Sequence, residues 1–207
     1  MASIAIDCDG VLAKFESGVV SAANHLWPGR LPADWYMKTW DMEDTFTPAE
    51  FKQVWAEIKR TQNFWLSLAA YSDSVCAFER FLIASHDHDV WIVTSRAETA
   101  GMTVAKQTDL WLRCCGIRQH HNYLAVVPVA DSKKKVDIYA AVGIEWSVDD
   151  KPSTVLACDA LPGHRAYLLS RPWNAEAQPK RRIASLSRFF DDITIATRRD
   201  ARGVHGS

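Results

Sequence analysis

The sequence predicts an α/β protein whose parallel sheet is covered by helices on both faces. Short apolar runs rich in β-branched and aromatic residues recur along the chain, as they do in buried parallel strands. Stretches with helical periodicity lie between these runs, and such alternation is typical of parallel sheets. Two of the runs end in aspartate pairs, and ligands of open α/β sheets bind at the carboxyl ends of strands.

The predicted elements follow one another in strand–helix order. Strands are expected at residues 3–6, 90–93, 123–127, 146–148 and 165–169. Helices are expected at residues 75–83, 102–115 and 134–142. Gly116 and Gly143 are expected to end the last two helices, because glycine readily adopts the conformation that closes a helix.

Residues 16–71 interrupt this order and are predicted to be a small helical cap inserted after the first strand. One helix is expected over residues 48–60, with Thr47 as its N-cap and Glu50 completing a capping box. The segment also contains five of the nine tryptophans of the chain: Trp27, Trp35, Trp40, Trp55 and Trp65.

The insertion divides the 207 residues into a core and a cap. Residues 1–15 and 72–195 are expected to form the core, and residues 16–71 the cap. Residues 196–207 are expected to be a disordered tail.

Composition narrows the class of protein. A formal net charge of −1 gives no electrostatic reason to expect nucleic-acid or membrane binding. No window reaches the roughly 18 consecutive apolar residues that a membrane span needs. The chain enters its first strand at once, so no signal peptide is expected. The five cysteines are irregularly spaced without a C-x-x-C pair, which favours reduced thiols, no zinc and a cytosolic location.

The first apolar run ends in Asp7-Cys8-Asp9-Gly10. Two like charges this close repel each other unless a cation neutralises them, and Mg²⁺ prefers carboxylate and carbonyl oxygens. The same residues could form an ordinary turn. A calcium loop is disfavoured, because the downstream acidic residues of an EF-hand are absent. The pattern therefore predicts a metal site at one edge of the sheet.

Polar residues at the other strand ends complete a set suited to Mg²⁺-dependent phosphoryl transfer. Thr94 and Ser95 follow the second strand, and Asp149-Asp150 follows the fourth. The cluster Lys133-Lys134-Lys135 begins the helix that precedes the fourth strand, and only one of these lysines can point into a site. Lys135 is favoured because it stands 14 residues before Asp149, with Lys134 as the alternative. A carboxylate, a hydroxyl, a lysine and an acidic pair meet the needs of this reaction.

In this order the motifs resemble those of the haloacid dehalogenase (HAD) superfamily of phosphatases. The first motif is similar to residues 7–11, the second to Thr94, the third to Lys135 and the fourth to Asp149-Asp150. Within the superfamily the chain resembles the 5′(3′)-deoxyribonucleotidases (5′-nucleotidase type C) at residues 11–18, 63–65 and 170–174. The resemblance implies a Rossmannoid three-layer α/β/α fold and covers about residues 3–190.

The resemblance implies a role for each acidic residue. Asp7 would attack phosphorus and form an aspartyl-phosphate. Asp9 would protonate the leaving oxygen and then activate water. Mg²⁺ would be held by the carboxylates of Asp7 and Asp150 and by the backbone carbonyl of Asp9. Asp149 would orient a metal-bound water or pair with the lysine.

The resemblance also implies phosphate contacts. Thr94 and the N–H groups near Asp9 and Gly10 would cradle the phosphoryl oxygens, and Lys135 would neutralise charge in the transition state. Ser95 and Arg96 are further candidates for phosphate binding, with a solvated arginine as the alternative.

Aromatic residues are the candidates for binding a nucleobase. In the similar nucleotidases an aromatic residue at the position of Phe15 stacks on the base; packing inside the cap is the alternative. Trp40 and Trp35 are candidates for completing the pocket, although tryptophans more often lie in a core. The histidines in residues 86–89 and 120–121 are expected to lie in solvated loops.

The sequence thus predicts a cytosolic Mg²⁺-dependent phosphatase of small phosphomonoesters, preferably nucleoside or deoxynucleoside monophosphates. A polynucleotide 3′-phosphate, a sugar phosphate and a catalytically silent binding module are the alternatives. The expected partner is a small phosphate ester, with no nucleic acid and no membrane, and a homodimer is left open.

Overall fold

The computed structural model describes residues 1–85, 87–117 and 123–203. The strands are β1 Ala2–Ile6, β2 Ala13–Lys14, β3 Ala69–Ala70, β4 His88–Thr94, β5 Tyr123–Pro128, β6 Trp146–Asp149, β7 Arg165–Leu169 and β8 Arg182–Ile183. The helices are α1 Phe15–Leu26, α2 Pro48–Arg60, α3 Ser72–Ala84, α4 Val104–Cys114, α5 Lys134–Val142, α6 Pro152–Cys158 and α7 Leu186–Gly203.

Six parallel strands form the main sheet in the order β5-β4-β1-β6-β7-β8. Strand β1 lies in the middle, with Ile4 in register with Val90 of β4 and Trp146 of β6. The predicted parallel α/β fold is confirmed. Strand β8 was not predicted, because two residues carry no periodic pattern.

Alternate residues of β1 face the two sides of the sheet, as strand geometry requires. Ile4 and Ile6 belong to a large apolar cluster that includes residues of α3, α4 and α7. Ala5 belongs to a smaller cluster with Tyr139 of α5 and Val155 of α6. Each fully buried aliphatic side chain contributes about 1.5–3 kcal/mol, so this layering holds the strand ends in place.

Helices α1 and α2 lie between strands β2 and β3, which pair antiparallel with Ala13 opposite Ala70. Helix α2 has the predicted bounds and the predicted capping box. The Thr47 hydroxyl accepts from the Glu50 N–H at 3.3 Å, and a Glu50 carboxylate oxygen accepts from the Thr47 N–H at 2.9 Å. The division of the chain into cap and core domains stays a prediction.

Three expectations differ from the structure or lie beyond it. Helix α7 continues to Gly203, where a tail disordered from residue 196 was expected, and residues 204–207 lie outside the described residues. His88 is buried in β4 rather than solvated, with its Nδ1 accepting from the Ala2 N–H at 3.1 Å. His86 and the His120-His121 pair also lie outside the described residues.

Within the described ranges, no helix has both the length and the apolar character needed to cross a bilayer.

Candidate active site

Three neighbouring strands deliver polar side chains to one edge of the sheet. Asp7 directly follows β1, Thr94 ends β4 and Asp149 ends β6, and β1 lies between the other two strands. All three residues are buried. The carboxyl ends of parallel strands meet at one edge, which is where open α/β sheets bind ligands.

Asp7, Asp149 and Asp150 form a compact acidic cluster. One oxygen of each carboxylate lies within 4.8 Å of the others, and all three residues are buried. Lys135, in the first turn of α5, places its Nζ 2.8 Å from Asp7 Oδ1 and 2.7 Å from Asp149 Oδ2. One lysine against three ionised carboxylates leaves a net charge of −2.

The structure brings Lys135, and not its neighbours, to the carboxylates. Lys135 is almost fully buried, whereas the side chain of Lys134 is 66% exposed and pairs with Asp137 at 3.3 Å. Lys133 is exposed at the N-cap of α5. Successive residues of a helix point in directions about 100° apart, so only one of the three can face the sheet edge.

The pKa values of the cluster show that it lacks positive charge. Burial raises the pKa of Asp7 to about 7, although Lys135 opposes the shift. Burial, with the charges of Asp149 and Asp7, raises the pKa of Asp150 well above its usual value. Burial alone would lower the pKa of Lys135, but Asp149 and Asp7 hold it well above its usual value. An additional cation would stabilise the ionised carboxylates.

Asp150 shows where a cation fits. Its Oδ2 accepts from Trp173 Nε1 at 2.8 Å, but its Oδ1 is buried without a hydrogen-bond partner among the described residues. A buried carboxylate oxygen without a donor is costly, and a metal ion would satisfy it. Carboxylate oxygens are the ligands that Mg²⁺ prefers, so the donor set fits this ion. The carbonyl of Asp9 stays a predicted ligand.

Gly10 provides the space for this arrangement. Its φ is +72°, and a Cβ atom there would lie 2.1 Å from Asp150 Oδ2. Its N–H already donates to the Ala13 carbonyl at 2.9 Å. Gly10 therefore contributes room for Asp150, and the phosphate contact of the N–H groups near Asp9 and Gly10 stays a prediction.

The Thr94 hydroxyl is a second buried group without a partner among the described residues. Thr94 lies at the end of the strand beside Asp7, so its hydroxyl is available to a ligand oxygen. Ser95 is exposed. Both residues keep their predicted role in phosphate binding as a proposal.

Arg96 lies buried against Asp9 in the structure. Its side chain is fully buried, so the solvated alternative is wrong. Its Nη2 and Nε lie 2.7 and 2.8 Å from the two carboxylate oxygens of Asp9, and its Nη1 donates to Thr108 Oγ1 at 2.9 Å. The guanidinium also lies 4.8 Å from the centre of the Trp65 ring. Three of its five N–H groups are used in these contacts, so Arg96 holds Asp9 in place, and its contact with phosphate stays a prediction.

Three residues after β7 support the acidic loop and were not assigned roles from the sequence. Besides the contact of Trp173 with Asp150, Asn174 Nδ2 donates to the Asp150 carbonyl at 2.7 Å. Arg171 Nε donates to the Gly10 carbonyl at 2.5 Å. The sequence singled out residues 170–174 as a point of resemblance, but a resemblance does not show which side chains they contact.

The candidate base-binding aromatics have different surroundings. Phe15 packs among cap rings, with ring centres 5.6 Å from Trp55 and 6.1 Å from Trp65. Trp40 is 42% exposed, and Nζ of Lys151, the residue after Asp150, lies 5.1 Å from its ring centre. Trp35 packs 6.5 Å from Phe46. Trp40 is therefore the one of these rings with a contact to the acidic loop.

No protein-family model matches the chain, and no curated protein sequence matches it. Solved structures do share its backbone. A HAD-family hydrolase from Deinococcus radiodurans R1, with bound phosphate and sodium, has a TM-score of 0.60 at 13% identity, over 95% of this chain and 96% of that chain. A predicted phosphoglycolate phosphatase from Haemophilus somnus 129PT has a TM-score of 0.60 at 14% identity, over 95% of this chain and 98% of that chain.

An L-2-haloacid dehalogenase from Xanthobacter autotrophicus also superposes, with a TM-score of 0.58 at 11% identity over 94% of this chain and 99% of that chain. The chain therefore has the fold of HAD-superfamily hydrolases, which serves phosphatases and dehalogenases alike. The narrower resemblance to deoxyribonucleotidases stays a prediction.

Proposed function

We propose that the protein is a Mg²⁺-dependent phosphomonoester hydrolase that works through a phosphorylated Asp7. The observation that carries the proposal is the buried cluster of Asp7, Asp149 and Asp150. Among the described residues, Lys135 is the one cation that forms ion pairs with it, through Asp7 and Asp149. A divalent cation matches the remaining charge of −2. The cation would be held by the carboxylates of Asp7 and Asp150, and it would supply charge neutralisation for an incoming phosphoryl group.

Asp7 is placed to act as the nucleophile. Its Oδ1 accepts from the Cys8 N–H at 2.7 Å and pairs with Lys135, which leaves Oδ2 for attack on phosphorus. The attack forms an aspartyl-phosphate and breaks the bond to the ester oxygen. Lys135 and the Thr94 hydroxyl are the neighbouring donors for the phosphoryl oxygens.

Asp9 is the proposed acid and base. It gives a proton to the leaving oxygen, then takes one from the water that attacks phosphorus, which releases phosphate and restores Asp7. The bidentate contact with Arg96 fixes the direction of this carboxylate but engages both of its oxygens, so Asp9 gives up one of these hydrogen bonds when it carries the proton. Orientation of this kind contributes to rate because the proton transfer needs hydrogen-bond distance.

A nucleoside or deoxynucleoside monophosphate is the proposed substrate. The support is the exposed Trp40 ring and its contact with Lys151 beside the acidic loop, since an aromatic ring offers a stacking surface to a base. A cytosolic location belongs to the same proposal.

The test is phosphate release from a panel with Mg²⁺ and with EDTA. The panel contains ribonucleoside and deoxynucleoside 5′- and 3′-monophosphates, sugar phosphates, a 3′-phosphorylated oligonucleotide and p-nitrophenyl phosphate. A separate arm measures chloride release from 2-chloropropionate. We expect Mg²⁺-dependent hydrolysis of one or two nucleotides, absent in Asp7→Asn.

Each other result has a definite meaning. Hydrolysis confined to sugar phosphates or to the oligonucleotide would replace the substrate and keep the chemistry. Chloride release without phosphate release would replace the phosphatase by a dehalogenase. No turnover of any compound would favour a binding module.

A further inference from the structure

A cavity of about 680 Å³ lies beside the start of helices α3 and α7 and the strand pair β2–β3. We call it the stem cavity. Its lining includes Tyr71, Ser72 and Leu186, and none of the four aspartates of the candidate active site. It is therefore a separate space at the same side of the sheet.

Three cations line the stem cavity: Lys14, Arg80 and Arg171. Within the described residues, none of the three forms an ion pair with a carboxylate. The one acidic residue of the lining is Asp73. The cavity wall thus has a net charge of +2, and none of its three cations is paired with a carboxylate of the described residues.

The start of helix α3 adds hydrogen-bond donors to this wall. Its N-cap residue, Tyr71, provides no side-chain hydrogen bond to the first turn. The first N–H groups of a helix lack partners within the helix and attract anions. Ser74, in the same turn, is only 7% exposed and lines the cavity, and its side chain forms no hydrogen bond with any described residue. Its hydroxyl is therefore free to donate to an anion in the cavity.

We propose that the stem cavity binds a phosphate dianion, free or as part of a small phosphate ester. The charge of the wall matches a dianion, and the serine hydroxyls and helix N–H groups suit tetrahedral oxygens. The volume leaves room for an organic group attached to the phosphate. This site does not depend on the proposed hydrolase activity, because no residue of that chemistry lines it.

The test is calorimetric titration of inorganic phosphate at constant ionic strength in EDTA. Without metal the acidic cluster repels phosphate, whereas the stem cavity needs no metal. We expect saturable binding that weakens by about tenfold or more in the double variant Lys14→Ala/Arg80→Ala, since the variant removes two cations that can form charge-assisted hydrogen bonds with phosphate. Asp73→Asn should strengthen binding, because it removes the one opposing charge.

Arg188→Ala is the matched control. Arg188 lies in α7, next to the lining residue Ser187, but does not itself line the cavity. Its side chain is 64% exposed and pairs with Asp192 at 3.0 Å. This variant should bind phosphate as the wild type does. Absence of saturable binding, or equal binding by the control and the double variant, would overturn the proposal.

Two further titrants identify the source of the phosphate. A nucleoside monophosphate and ribose 5-phosphate are titrated into the wild type and the double variant under the same conditions. Tighter binding than inorganic phosphate, lost in the double variant, would assign the cavity to an ester. Equal or weaker binding would assign it to free phosphate.

Discussion

The two ends of strand β6 hold buried polar clusters that differ in how completely their groups are paired. Near its amino end, Ser147 Oγ lies 2.8 Å from His164 Nε2, and His164 Nδ1 lies 2.7 Å from the Ile144 carbonyl. After its carboxyl end, Asp150 Oδ1 has no partner among the described residues, and neither has the hydroxyl of Thr94, which ends β4 at the same edge of the sheet. The paired cluster stabilises the fold as it stands, whereas the unpaired one needs a ligand.

The same difference appears in charge. Burial lowers the pKa of His164, so this residue is neutral and its cluster carries no net charge. Burial raises the pKa of Asp7 to about 7, so ionising this carboxylate costs stability unless a cation is added. Functional sites often store such a cost, because the groups are arranged for the ligand rather than for the empty protein.

The largest expected effect comes from removing the nucleophile of the unpaired cluster. Asp7→Asn should lower turnover of the preferred phosphomonoester by about 10⁴-fold or more, as loss of a nucleophile does elsewhere. In EDTA its Tm should equal or exceed that of the wild type, because one buried charge is gone. Mg²⁺ should raise the Tm of the wild type more than that of the variant.

Steady-state kinetics and thermal unfolding measure both quantities. Asp137→Asn, which removes an exposed carboxylate of the same helix that carries Lys135, is the control and should change neither. A large fall in the metal-free Tm of Asp7→Asn would show that the cluster is structural, like the cluster of Ser147 and His164.

The next largest effect is expected from breaking the buried ion pair between Arg96 and Asp9, which is fully paired, unlike the acidic cluster. Arg96→Met leaves Asp9 without its partner, and removal of one member of a buried pair costs about 3–5 kcal/mol. Activity should fall as well, because Asp9 loses its fixed orientation. Urea unfolding measures the loss of stability.

Arg113→Met provides the comparison for Arg96. Arg113 pairs with Asp109 at 3.2 Å on the surface of α4, and exposed pairs contribute about 0–1 kcal/mol. If the two variants lose similar stability, Arg96 does not hold Asp9 in solution as it does in the structure.

A smaller effect is expected from removing the hydrogen bond that Trp173 donates to Asp150, the proposed metal ligand. Trp173→Phe removes the hydrogen bond to Asp150 Oδ2 and should raise the Mg²⁺ concentration for half-maximal activity by about 10–100-fold. Trp91→Phe is the matched control, because the indole N–H of Trp91 has no partner among the described residues. Equal Mg²⁺ requirements in the two variants would contradict a positioning role for Trp173.

The smallest effect concerns the paired cluster. The folded-state pKa of His164 lies below the unfolded value of about 6.5, so the unfolded chain takes up its proton first as the pH falls. Stability from this residue is complete above about pH 6.5 and is lost as the pH falls through the folded-state pKa. The effect on Tm should be the smallest of the four, because a single group titrates.

Thermal unfolding between pH 7.5 and pH 5, in about half-unit steps, measures this loss. His164→Asn should show a shallower fall of Tm with pH than the wild type. A parallel pair of curves would mean that His164 keeps its usual pKa in the folded protein.

The sequence by itself determined what depends on neighbouring residues. The strand ends that carry Asp7, Thr94 and Asp149 follow from apolar runs, and the capping box of α2 follows from a four-residue pattern. Lys135 could be chosen from its spacing to Asp149. These features are local, because strand alternation, helix periodicity and capping act over a few residues.

Only the tertiary structure decided which distant residues meet around the site. Arg96 and Asp9 are 87 positions apart, and Arg171 and Gly10 are 161 apart. The need for glycine at position 10 comes from the approach of Asp150, which no local pattern shows. These contacts depend on the order in which β4, β1, β6 and β7 pair, and that order is set by the packing of the whole sheet.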